Sequence, residues 1–285
     1  MKQIGFIGAG QMAQALAAGI ARNNRELQFV IADPSETARQ AFQDQIGASR
    51  TRVLATNRDV YDACETVFLA VKPQYLAAAL ADLRVGDVCR ADHPVNGSDL
   101  DSPDLHPLVV SVMAGISIAR ITQLTAATRV IRVMPNTPCL IGCGACAMAV
   151  SPSVLKSDES NIRSYLESVG VVELVAEPLL DAVTGLSGSG PAYVFSFIES
   201  LVMGAVKMGL PQLTAEKLAV QTVLGAAKML QGTSESPAEL RNRVTSPGGT
   251  TLAGLKELEG LGFRNAVMSA VQAATARSVE LGQQF

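Results

Sequence analysis

The chain of 285 residues has no tryptophan and only two histidines, His93 and His106, both in one polar stretch. A histidine base in the core is therefore not expected. Apolar runs are short: none reaches the ~18 residues of a membrane span. Neither sign of charge prevails, since 23 Lys and Arg stand against 26 Asp and Glu for a net charge of −3. Such a surface offers little to nucleic acid or to an anionic membrane. Five cysteines leave at least one outside any intrachain disulfide set, which fits a reducing compartment. Met1 leads straight into an apolar strand pattern without the regions of a signal peptide. A cytoplasmic location is the expectation. What remains is a composition 48% hydrophobic and 17% charged, in a length suited to about two domains.

Residues 3–8 read as a short buried strand, and Ala15, Leu16, Ala18, Gly19 and Ile20 as a helix. Between them Gly8-Ala9-Gly10-Gln11-Met12-Ala13 is a G-x-G-x-x-A motif in strand-turn-helix context. Gly8 permits the tight turn, Gly10 lets a pyrophosphate approach the backbone, and Ala13 keeps the helix close to the sheet. The second strand, 28–32, ends at Asp33. An acid there binds both ribose hydroxyls of NADH and repels a 2′-phosphate. Asp33-Pro34-Ser35 also reads as a turn with a helix cap for 36–46, and Arg39 is available to a phosphate. Both NADH and NADPH stay open, with Asp33 on the side of NADH.

Further strands are expected at 53–55, 66–71, 108–113, 128–133, 147–150 and 170–175, with helices at 74–83, 117–124 and 152–168. Strands alternating with helices predict a doubly wound, mostly parallel Rossmann sheet. Loops after the strands then line the cofactor crevice, which places Val71, Lys72 and Pro73 there. Lys72 reads equally well as a solvated charge at a helix start. Met134-Pro135-Asn136-Thr137-Pro138 is a rigid loop with polar groups to present, or a stiff connector. Residues 85–107 form a polar surface excursion. Its Asp92, His93, Asp99, Asp101 and His106 lack metal-ligand spacing. Cys139, Cys143 and Cys146 have the spacing of iron–sulfur ligands, but the strand that follows would split them between two faces. They read as small buried hydrophobes, and no metal is expected.

After Pro178 the pattern is helical throughout, at 179–186, 191–208, 214–231, 236–244, 251–260 and 263–282. The boundary falls at 177, giving an α/β domain over 1–177 and an all-α domain over 178–285. Ala- and Gly-rich helices with so much apolar surface predict burial against another subunit. Near the end, Ser246-Pro247-Gly248-Gly249-Thr250-Thr251 reads as a Gly-rich loop leading into a helix. Unpaired N–H groups at such a start suit a small anion such as a carboxylate. The plain alternative is a capped helix start after a turn.

These motifs, taken in order, resemble one family, the pyrroline-5-carboxylate reductases. The resemblance rests on Gly8 to Ala13, Val71-Lys72-Pro73, Met113-Ala114-Gly115-Ile116, Val133 to Pro138, Ser187-Gly188-Ser189-Gly190-Pro191-Ala192-Tyr193, and the stretch from Val244 and Thr245 through Ser246–Gly254 to Gly262-Phe263-Arg264. It covers nearly the whole chain, and the ordered set is far more specific than any one motif. It implies NAD(P)H-dependent reduction of 1-pyrroline-5-carboxylate to L-proline. It also implies a Rossmann domain and a helical domain that dimerises by interleaving, with larger rings of dimers in some cases. By position, Gly249, Thr250 and Thr251 would bind the substrate carboxylate through N–H groups, beside Gly248. Thr251 would reach the ring nitrogen, Ser246 would close the pocket edge, and Tyr193 is a weaker donor candidate. Gly8, Ala9, Gly10, Gln11, Met12, Asp33, Val71, Lys72, Pro73, Met134, Asn136 and Thr137 would lie along the cofactor. The departures are the long 85–107 segment and the cysteines of 139–146. Other readings of the same plan are another cyclic-imine reductase, a β-hydroxyacid dehydrogenase, and a nucleotide sensor without chemistry. The dehydrogenase wants a lysine in mid-helix, and Lys207 lies at the far end of 191–208. No partner of nucleic acid or membrane is expected.

Overall fold

The computed structural model describes residues 2–83 and 106–284. Of the polar excursion it includes only His106 and Pro107, so Asp92, His93, Asp99 and Asp101 lie outside the described residues.

The strands are β1 (Gln3–Ile7), β2 (Gln28–Ala32), β3 (Thr51–Val53), β4 (Thr66–Leu69), β5 (Leu108–Ser111), β6 (Val130–Met134), β7 (Gly144–Val150) and β8 (Gly170–Leu174). They form one sheet in the order β3-β2-β1-β4-β5-β6-β7-β8, and the pairs are parallel except β6 with β7. Antiparallel pairing there follows from the connection. A 3₁₀ turn, Thr137–Ile141, and the left-handed Gly142 (φ +73°) return the chain at once. A parallel crossover needs about a dozen residues or more.

The helices of this half are α1 (Gln11–Asn23), α2 (Glu36–Ile46), α3 (Asn57–Ala63), α4 (Leu76–Ala79), α5 (Ile118–Thr125), α6 (Lys156–Glu167) and α7 (Leu180–Val183). Strand alternation sends Phe6, Phe29 and Phe68 to one face, where they meet Leu16, Ile20 and Phe42 from α1 and α2. Phe6 and Phe68 stack with centroids 4.8 Å apart. Ile7, Val30, Val67 and Leu69 point to the other face and pack with Val60, Tyr61, Ile121 and Leu124. Burial on both faces explains the near-continuous apolar strands. The helix expected over 74–83 is broken: a 3₁₀ turn at Pro73–Tyr75, one turn of α4, then a 3₁₀ turn at Ala81–Leu83. Helix α3 is an addition, started by a capping box of Thr56 and Asp59.

The remaining helices are α8 (Gly190–Lys207), α9 (Gln212–Gln231), α10 (Pro237–Arg243), α11 (Thr250–Gly260) and α12 (Phe263–Gln283). Two compact units result, one of Met1–Gly188 with Ala274–Phe285, the other of Ser189–Ala273. The division falls at Gly188 rather than at 177, because α7 still packs on the sheet. Leu180 is fully buried with Ala147 and Ala149 of β7. The end of α12 belongs to the first unit, where the Ser278 hydroxyl donates to Asp181 Oδ1 at 2.6 Å.

In the second unit α8 buries no residue, and α9 buries only Ala215 and Ala219. Phe195, Met203 and Leu213 are 66%, 67% and 73% exposed. The sequence has no uninterrupted apolar run of membrane length, yet the helical run Glu177–Lys207 is long and apolar enough to cross a membrane by length and composition. Helical folding gathers apolar residues that Ser, Gly and Pro interrupt in the sequence.

Candidate active site: a dinucleotide crevice and a bare helix start

The strand order reverses between β1 and β4, and the crevice of a doubly wound sheet opens beyond the carboxyl ends of the strands at that point. A cavity of about 930 Å³ lies there, lined by Gly8, Gly10, Asp33, Arg39, Val71 and Lys72 among others. Gly8 has φ +96°, and a Cβ on it would stand 2.8 Å from the Ala70 carbonyl oxygen, so glycine is required. At Gly10 a Cβ would meet nothing within 4 Å, which leaves an open cradle above the backbone. Gly10 caps α1 without any side-chain hydrogen bond, so the first N–H groups of the helix, at Gln11 and Met12, have no intrahelical acceptor. An open cradle and bare N–H groups fit a dinucleotide pyrophosphate.

Asp33 is more occupied than its position suggests. Its Oδ2 accepts the Ala9 N–H at 2.7 Å and its Oδ1 accepts the Ser35 N–H at 2.8 Å. Arg39 Nη1 donates to the Asp33 carbonyl at 2.6 Å, and the Ser35 hydroxyl caps α2 by accepting from Ala38 N–H. Asp33-Pro34-Ser35 is thus a turn with a helix cap, and Asp33 lines the crevice wall. Leu54, Thr56, Asn57 and Tyr75 also line the cavity and are additions to the sequence reading. The Thr56-x-x-Asp59 pattern was the signal available for the helix start that carries Thr56 and Asn57.

Pro73 opens the 3₁₀ turn beside Lys72. Met134 ends β6 and Asn136 and Thr137 follow it, at the same edge of the sheet, but none of the three lines this cavity. Asn136 is 8% exposed, accepting from Ala145 N–H at 2.9 Å and donating to the Ser187 carbonyl at 3.1 Å. Its side chain braces the loop, while Thr137 is exposed.

In the second unit, the loop of Ser246 to Gly249 leads into α11. Gly248 is left-handed at φ +70°. Gly249 caps the helix with extended backbone and no side-chain hydrogen bond. Its own N–H is spent on the Ser246 carbonyl at 3.0 Å, and the first helical bond is Ala253 N–H to the Gly249 carbonyl at 3.3 Å. The bare N–H groups are therefore those of Thr250, Thr251 and Leu252, one position beyond the set implied by resemblance. Neither threonine acts as the cap. Among the described residues, the hydroxyls of Ser246, Thr250 and Thr251 have no hydrogen-bond partner. Tyr193 behaves differently, since its hydroxyl donates to the Ala270 carbonyl at 3.3 Å. Lys207 is the last residue of α8, at the wrong place for a mid-helix lysine.

The cysteines depart from expectation. Cys139 belongs to the 3₁₀ turn before β7, not to the strand, so it folds back onto Cys146. Their sulfurs are 3.6 Å apart and both are buried, whereas Cys143 is exposed.

Residues 177–281 match the family described as pyrroline-5-carboxylate reductase dimerisation, and residues 3–90 match NADP oxidoreductase, coenzyme F420-dependent. A pyrroline-5-carboxylate reductase of Synechocystis is 40% identical over 283 residues, covering 99% of this chain and 98% of that one. The structure of such a reductase from Coxiella burnetii superposes with a TM-score of 0.84 at 33% identity, covering 98% of this chain and 97% of that one. That of Plasmodium falciparum pyrroline carboxylate reductase with NADP bound gives 0.80 at 30% identity, covering 99% and 98%. The exposed helices lie within the matched dimerisation region, by which the chain forms a homodimer. Sheet, crevice and full-length similarity together make this chain a member of the pyrroline-5-carboxylate reductase family, NAD(P)H-dependent oxidoreductases that complete proline biosynthesis by reducing 1-pyrroline-5-carboxylate to L-proline.

Proposed function

We propose that the crevice of the first unit holds the cofactor and that the start of α11 holds the substrate. The observation that carries this reading is the bare helix start, three unpaired N–H groups beside three partnerless hydroxyls. A carboxylate is the anion such a start binds, helped by the positive end of the helix dipole. Thr250, Thr251 and Leu252 donate their N–H groups to it. Gly248 and Gly249 serve through conformation, and Ser246 closes the edge.

With the carboxylate fixed, the Thr251 hydroxyl donates to the imine nitrogen. This draws electron density from the C=N bond and makes its carbon a better hydride acceptor. A bound reduced nicotinamide supplies the hydride. The nitrogen gains a proton as the carbon gains hydride, and Thr251, being exposed, relays that proton from solvent. No histidine or carboxylic acid is needed for a step whose main demand is placement.

Gly8, Ala9, Gly10, Gln11 and Met12 cradle the pyrophosphate. Val71, Lys72, Pro73, Met134, Asn136 and Thr137 lie along the nicotinamide half. Asp33 receives the ribose with its remaining lone pairs while holding Ala9 in place, and Arg39 meets a 2′-phosphate. NADH and NADPH both serve. The dimer forms by interleaving α8 and α9 with those of a second copy, with larger rings built from such dimers. This packing, rather than lipid, covers the apolar run Glu177–Lys207, and the enzyme works in the cytoplasm without nucleic acid.

Thr251→Ala tests the reading. Turnover should fall about 100-fold or more, the range for a lost proton donor, while Thr251→Ser retains most of it. The KM for cofactor should stay within about twofold. Unchanged turnover in the alanine variant removes Thr251 from the mechanism.

A further inference from the structure

Reduction of the imine uses none of the cysteines, yet two of them are paired in space. Cys139 and Cys146 are 0% and 4% exposed, with sulfurs 3.6 Å apart. A disulfide needs ~2.05 Å between sulfurs, so closure asks for a displacement of about 1.5 Å. Cys139 lies in the 3₁₀ turn Thr137–Ile141 that follows Asn136. Within this turn the Cys139 N–H donates to the Asn136 carbonyl at 3.1 Å. Its sulfur is also 4.0 Å from Asn136 Oδ1. Any movement of Cys139 is therefore passed directly to Asn136 and Thr137.

We infer that Cys139 and Cys146 form a dithiol that closes to a disulfide under mild oxidation by a peroxide and slows the reductase by displacing Asn136 and Thr137. The effect on rate rests on the placement of those two residues along the cofactor; the closure does not. The Cys139 thiolate attacks one peroxide oxygen, the O–O bond breaks, and a sulfenic acid and water are left. The Cys146 sulfur then attacks the Cys139 sulfur and releases a second water. Two thiols are oxidised and one peroxide is reduced. The two sulfurs share one hydrogen-bond contact, which holds the Cys139 thiol below its ordinary value, while that same contact and burial push Cys146 up. Cys139 is thus the attacking sulfur. Cys64 offers a contrast: it has no second thiol beside it, and burial pushes it up to about 12.

The test treats the purified full-length dimer with hydrogen peroxide, removes the oxidant, and divides the sample. One half is unfolded, alkylated and mapped by mass spectrometry; the other is assayed with pyrroline-5-carboxylate and NADPH. The expected map shows a Cys139–Cys146 disulfide and three free thiols of the five present. The expected rate is lower by about tenfold or more, as for an angstrom-scale shift near reacting groups, and dithiothreitol restores it. Cys146→Ala should keep its rate after peroxide, and Cys143→Ser should respond as the native chain does. Free Cys139 and Cys146 after treatment, or a disulfide through Cys143, overturn the inference. So does the expected disulfide with an unchanged rate. Should Cys146→Ala fail to fold, the map of the native chain still decides closure. A reduced native enzyme without activity would instead count against the proposed site, leaving the thiol result to stand by itself.

Discussion

Asp33 illustrates how one carboxylate can be committed twice. Its oxygens already take N–H bonds from Ala9 and Ser35, and Arg39 reaches the carbonyl of the same residue. A carboxylate so solvated repels a neighbouring phosphate less than a bare one. Discrimination against NADPH should therefore be small, and Arg39 should set it. Arg39→Ala is expected to raise the KM for NADPH about tenfold, the loss of one charge-assisted phosphate contact, with little change for NADH. Equal losses for both cofactors in steady-state kinetics would mean that Arg39 merely braces the loop. Residues whose backbone demands a type were legible: Gly8 is required by a positive φ and by a nearby carbonyl. Residues defined by what they already bond were not. Nothing in the sequence says that the Gly249 N–H is spent on Ser246, nor that the Asn136 amide is spent on Ala145 and Ser187.

Among elements, the start of α11 owes its bareness to Gly249, which has no side chain to return to the helix. A Cβ at Gly249 would run into the Ser246 hydroxyl and sit 3.2 Å from its carbonyl. Gly249→Ala should displace Ser246 and raise the KM for pyrroline-5-carboxylate about tenfold, a loss of uniform binding, leaving the KM for cofactor alone. A variant with native substrate KM would show that the loop does not hold the carboxylate. The long periodic helices and the buried strands were legible because their patterns are strong. Helix α3 was missed because seven residues carry little periodicity, although its capping box was in view. The break in 74–83 was missed because Ala-rich sequence is compatible with either helix type. The proximity of Cys139 to Cys146 depended on a turn, and strand alternation alone placed them apart.

At the scale of the molecule, composition and architecture agree on a chain that does not bury all of its apolar surface alone. Helix α8 buries no side chain, and Phe195, Met203 and Leu213 stand well exposed in a region that matches a dimerisation family. The change from alternating strands to continuous helix was legible at 177, where that family also begins. The compact division at Gly188 was not, because it depends on Leu180 reaching the sheet and on the end of α12 returning to the first unit. The most direct measurement is the absorbance decay of NADH and of NADPH, each with pyrroline-5-carboxylate and the purified dimer. The account predicts proline formation with both, at kcat/KM values within about tenfold of each other, the energy of roughly one contact. A folded dimer that oxidises neither cofactor would contradict it.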